Sequence, residues 1–232
     1  MALAVGIVLG SGPLKPAIDT ALTTNYESLR KDREALRDEN VALEKRAEYR
    51  DEALNALAPS LISGRLKGRR VVVVQAPDAE GDLVSAVTAT LEQAGAGISG
   101  TVGITESYAD RTKESELEAL LDRLTPPRTT FPEEVTPQSR AGNAIGRALV
   151  TSNPRQGGAD DASPALLAGL ADLGFVTVDG EPARRASLAV IVLGPAPAES
   201  DDQARDRARR AAESLGELAL GLDRQGSGAV VA

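Results

Sequence analysis

Gly68-Arg69-Arg70-Val71-Val72-Val73-Val74-Gln75-Ala76-Pro77-Asp78-Ala79-Glu80-Gly81-Asp82 decides the fold class. Four consecutive valines without polar alternation read as a strand buried on both faces, as in a parallel sheet covered by helices on either side. Pro77 to Asp82 is a loop. Asp82 is placed to cap a helix that turns Leu83, Val84, Val87 and Leu91 inward and stops at Gly95-Ala96-Gly97. Ile98 to Ile104 is a second strand. Two strands around a helix form a βαβ unit, which is right-handed by default.

Downstream the same alternation continues. Ser115 to Leu124 reads as a short helix with Leu117, Leu120, Leu121 and Leu124 inward. Thr125 to Pro137 is a proline-rich loop, 137–150 is helical, and 151–158 is a polar loop. Ser163-Pro164 opens a helix to Leu173, with serine at the cap and proline in the first turn. Phe175 to Val178 is strand-like, and Leu188 to Leu193 is a second strongly apolar strand ending at Gly194-Pro195. A long helix from Asp201 to Leu222 and an apolar strand from Ala229 complete the chain. Alternating strands and helices imply a three-layer, mainly parallel, Rossmann-like α/β domain over 68–232. Its last strand stops as soon as it begins, so the domain is expected to be C-terminally incomplete.

Upstream of the valine strand, residues 19–57 carry a seven-residue repeat. Leu22, Leu29, Leu36, Leu43 and Leu57 fall at d, with Arg50 as the charged exception. Tyr26, Arg33, Asn40, Ala47 and Leu54 fall at a. The pattern predicts a coiled coil and a parallel homodimer, because a buried Asn40 is satisfied by its twin in that arrangement. Polar a residues such as Arg33 and Asn40 fit poorly with the other reading, a single amphipathic helix packed on the domain. Ala58-Pro59 is expected to end the helix.

Residues 1–10 contain no polar side chain, and ten helical residues span about half of a bilayer core. Three readings stand: a buried element, the apolar part of a signal peptide, or the outer end of a transmembrane anchor. Ser11-Gly12-Pro13 followed by Lys15 favours the anchor over 1–12, and the pair Gly6/Gly10 would let two such helices approach closely.

Composition narrows the chemistry. The chain has 232 residues, 42% of them hydrophobic, a number that suits one α/β domain plus an accessory element. It has no His, no Cys and one Met, which removes His-based triads, cysteine nucleophiles, disulfides and Cys/His zinc sites. A metal would have to be held by oxygen, a donor set for hard cations and not for copper(I). A net charge of -8 excludes a general nucleic-acid role. No GxGxxG follows Val74 and no Walker lysine pattern is present, so no cofactor is expected. Without a convergent acid/base set, no enzymatic activity is expected either.

Ligands of α/β sheets bind beyond the carboxyl ends of the strands. Two loops qualify, 76–82 and 194–200. In the first, Asp78, Glu80 and Asp82 are weak candidates for a hard cation, beside the simpler reading of a turn with exposed acids. The arginines at 205, 207, 209 and 210 alternate with acids and read as a solvated, salt-bridged face. Arg65, Lys67, Arg69 and Arg70 form a second basic patch, either a solvated linker or a contact for anionic envelope polymers.

Taken together, the segment 2–12, the coiled coil, the run from Gly68 to Ala79 and Leu149-Val150-Thr151-Ser152 resemble the actinobacterial MctB family, named for a mycobacterial copper transport protein of the envelope. The resemblance covers most of the chain. It implies an N-terminal membrane segment, an extracytoplasmic domain and a link to copper efflux. A similar corynebacterial branch, SteB, implies a second role: a dimeric coiled-coil scaffold that regulates peptidoglycan hydrolases in cell separation through another envelope protein.

Overall fold

The computed structural model describes residues 14–133, 136–153, 161–195 and 202–232. The chain divides after Ala58 into two units, 1–58 and 59–232. The segment 1–12, expected to be a membrane anchor, lies outside the described residues. No described helix is long and apolar enough to cross a membrane.

Helix α1 spans Leu14–Ile62. It is longer than the repeat over 19–57 and does not stop at Ala58-Pro59. Pro59 lies inside it, in the last turn, where a ring costs one hydrogen bond to the preceding turn and the chain needs only one further turn. The Pro59 carbonyl still accepts from the Ser63 amide at 3.1 Å. Gly64, with φ 73°, then takes the chain out of the helix.

The second unit is an α/β domain. Its elements are β1 (Arg70–Gln75), α2 (Gly81–Gln93), β2 (Gly97–Ile104), α3 (Glu114–Leu124), α4 (Pro137–Leu149), α5 (Ala162–Asp172), β3 (Val176–Gly180), β4 (Leu188–Val192), α6 (Asp202–Gln225) and β5 (Ala229–Val231). Short 3₁₀ turns at Glu106–Ala109, Arg111–Lys113 and Pro182–Arg184 join some of them. The strands form one sheet in the order β3-β2-β1-β4-β5. β1 pairs with β2 and β4 in parallel, and β4 with β5 in parallel. β3 runs antiparallel to β2, so the sheet is mixed.

Val71 to Val74 are fully buried, as a central strand requires. Alternate side chains of a strand point to opposite faces. Val72 and Val74 join a core made with α3, α4, α5 and α6, including Leu121, Ile145, Leu166, Leu170, Leu218 and Leu222. Val73 joins a smaller core with Ala76, Ala79, Val84 and Val192, against which Val87 and Leu91 of α2 pack.

Local sequence explains the helix ends, with two corrections. α2 closes at Gly95, φ 89°, whose amide bonds to Glu92 while that of Ala96 reaches back to Leu91. This is a Schellman end, and α5 repeats it at Gly174. Asp82, however, is not the cap of α2. The helix begins at Gly81 after Glu80, which makes no side-chain cap, and Asp82 sits in the first turn, where its charge faces the helix dipole. Ser163 is likewise one turn position inside α5, whose flanking residue is Asp161. Both shifts arise because the backbone enters the helix before the polar side chain that marked its start.

α4 is buried on nearly every side. It meets α6 through glycines: a Cβ on Gly142 would lie 2.6 Å from the carbonyl oxygen of Glu217, and one on Gly146 would lie 2.6 Å from that of Gly221. Asn143, fully buried, donates to the Ser139 carbonyl at 2.7 Å and accepts from Arg224 at 3.0 Å.

Candidate functional site

The carboxyl ends of β1 and β4 lie side by side. The Ala76 amide donates to the Val192 carbonyl at 2.9 Å, and the Gln75 side chain donates to the Ala79 carbonyl at 2.9 Å, which folds 76–79 into a tight turn. Gly194 packs directly on the backbone of Asp78. The two loops singled out from sequence therefore do meet, although 196–200 lies outside the described residues. Their acids do not form a chelate: Asp78, Glu80 and Asp82 are all exposed. Among the described residues no three acidic, histidine or cysteine side chains converge on a metal position.

A larger concavity lies elsewhere in the domain. A cleft of about 930 Å³ is bounded by Arg111, Thr136, Arg210, Glu213, Glu217 and Asp223, among others. Its lining comes from the 3₁₀ turns, the start of α4, α6 and β5. No sequence signal marks it, because these segments are far apart in the chain and none carries a motif. Tyr108, next to the lining residue Ala109, is 4% exposed, and its hydroxyl has no hydrogen-bond partner among the described residues. Burial first, and then the Glu217 carboxylate, push this phenol above the usual tyrosine value. Asp110 shows the opposite shift. Its carboxylate accepts from the Thr112 amide at 2.9 Å and the Thr112 hydroxyl at 2.8 Å, which hold its pKa below the ordinary range.

Two of the arginines of α6 pair with acids of their own helix: Arg205 lies 3.5 Å from Asp202, and Arg209 lies 2.9 Å from Glu213. Arg65, Lys67, Arg69 and Arg70 are exposed.

The heptad seam is the other candidate surface. Leu29, Leu36 and Leu43 are 65%, 61% and 52% exposed, and Leu54, Leu57 and Leu61 are comparably open. Asn40 is exposed on the same helix. The side chain of Leu22 lies outside the described residues.

A long N-terminal helix with an open leucine row and an α/β domain built on a mixed five-stranded sheet define the class to which this chain belongs. Within that class this chain belongs to the family described as "Copper transport outer membrane protein, MctB", which matches residues 1–232. It is 28% identical to the copper transporter MctB of Mycobacterium bovis over 209 residues, and the same holds for that of Mycobacterium tuberculosis. These alignments cover 84% of this chain and 64% of each relative. The Mycobacterium leprae copper transporter MctB is 31% identical, with 98% of this chain and 76% of that protein covered. The chain thus spans about two thirds of the length of the bovis and tuberculosis relatives.

Proposed function

We propose that this chain is a copper-homeostasis protein of the cell envelope. In this reading it is anchored through its N-terminal apolar segment and acts without catalysis and without itself binding copper. The observation that carries the copper role is the family match over residues 1–232, with mycobacterial relatives named copper transporters. The donor set supports the second half. Copper(I) selects thiolate, thioether and imidazole, and these 232 residues offer no Cys, no His and only Met1. The role then rests on contacts with other envelope components that move the metal.

A second reading, the scaffold that controls peptidoglycan hydrolases in cell separation, is favoured by the open leucine row of α1. Gene deletion separates the two. The copper role predicts raised cellular copper and poorer growth in copper-supplemented medium. Both should be restored equally by the wild-type gene and by one encoding Asp78→Ala, Glu80→Ala and Asp82→Ala. Unchanged copper content with chains of unseparated cells would reject the copper role in favour of the scaffold. Failure of the triple variant, at normal protein level, would show that the acidic loop does handle the metal.

A further inference from the structure

We propose that the cleft beside α6 binds a free oligopeptide of about three to six residues by its two charged ends. This goes beyond the copper role and the scaffold role, neither of which requires such a site.

The cleft is polarised along α6. Arg210, Glu213, Glu217, Leu220 and Asp223 line it at intervals of three or four residues, so they share one face of that helix. On this face Glu217 follows Arg210 by about 10 Å and Asp223 follows it by about 20 Å, at 1.5 Å per residue.

Two other elements build the cationic end. The Asp110 carboxylate, held low by Thr112 first, also lies in the field of Arg210. Arg111, its neighbour in the chain and a lining residue, is thereby set at the Arg210 end. α4 runs beside α6 in the same direction, since Gly142 faces Glu217 and Gly146 faces Gly221. Thr136, six residues before Gly142, therefore falls at that end as well. Its hydroxyl accepts from the Ser139 amide at 3.1 Å and keeps its own hydrogen to donate.

The acids of the cationic end are already engaged. Glu213 lies 2.9 Å from Arg209, and Asp110 accepts twice from Thr112. The side chains of Arg111 and Arg210 form no ion pair or hydrogen bond with a described residue, and the same holds for Glu217 and Asp223 at the other end. Between the ends, Gly216 faces open space beside Ala219 and a Leu220 that is 54% exposed.

A carboxylate suits the two guanidiniums, an ammonium suits the two carboxylates, and the middle suits small apolar side chains. A short peptide with both termini free carries these groups in that order and at that separation. A polyanion such as a nucleotide would meet Glu217 and Asp223 with like charge.

Titration calorimetry of the 232-residue chain with alanine peptides tests this. Tetraalanine should bind at one site per chain, and dialanine, too short to bridge about 10 Å, about tenfold more weakly. Amidation of the tetrapeptide's C-terminus and Arg210→Ala should each weaken binding about tenfold, and the two losses should not add, because both remove the same contact. N-acetylation and Glu217→Gln should form a second such pair. Gly216→Phe, which fills the open middle, should abolish binding while circular dichroism remains that of the folded domain. No saturable binding of tri- to pentaalanine at low millimolar concentration overturns the site. Binding lost on amidation but indifferent to both acetylation and Glu217→Gln also overturns it, and assigns the cleft to the C-terminal tails of proteins.

Discussion

At Tyr108 the domain buries a phenol whose hydroxyl no described group accepts. A hydroxyl taken from water without a replacement partner destabilises the fold. Tyr108→Phe is therefore expected to raise stability by about 1 kcal/mol. Its pH dependence follows from the direction of the shift. The folded pKa lies above the unfolded value of 10.0, so the neutral side chain's contribution is present in full below about pH 10 and declines as pH rises toward the folded value. Denaturant titrations at neutral and strongly alkaline pH should show that decline in the wild type and a smaller one in the phenylalanine variant. A wild-type-like decline in the variant would assign the alkaline loss to other groups. The acids of the first loop matter less. Asp78, Glu80 and Asp82 are exposed and do not converge, and the turn beside them is held by Gln75 and Gly194.

At the scale of elements, the contact between α4 and α6 depends on hydrogen in place of side chain. Gly142→Ala and Gly146→Ala each drive a methyl into the facing backbone, at 2.6 Å from a carbonyl oxygen that has no rotamer to yield. Each should destabilise the domain by about 1–3 kcal/mol, the usual cost of overpacking, as a drop in the thermal midpoint. Gly216→Ala, on α6 and facing open space, should not. The sequence revealed the helices here but not their contact, because Gly142 and Gly221 become neighbours only through tertiary packing. The buried run Val71 to Val74 was legible because one strand's surroundings are written in its own side chains, and Gly95 because a left-handed helix end needs glycine. The reversed direction of β3 was not. Val176-Thr177-Val178-Asp179-Gly180 is exposed at the sheet edge except at Val176, and its partner β2 lies about 75 residues upstream. The helices begin two residues before the caps expected at Asp82 and Ser163, since a polar residue in the first turn looks like a cap. The cleft walled by Arg111, Arg210 and Glu217 was invisible for the same non-local reason.

Over the whole molecule, a copper-named family meets a chain that carries almost no copper(I) ligands. These facts agree if the chain organises other components, with α1 supplying self-association and the α/β domain the surfaces around its sheet ends. They conflict if the chain is itself the carrier. Copper(I) titration of the purified 232-residue chain against a competing chromogenic chelator tests this most directly. The account predicts that the chelator keeps its copper and that no stoichiometric site appears, because oxygen donors do not compete for the soft ion. One copper(I) per chain drawn from the chelator would contradict it and make this chain a copper-binding protein in its own right.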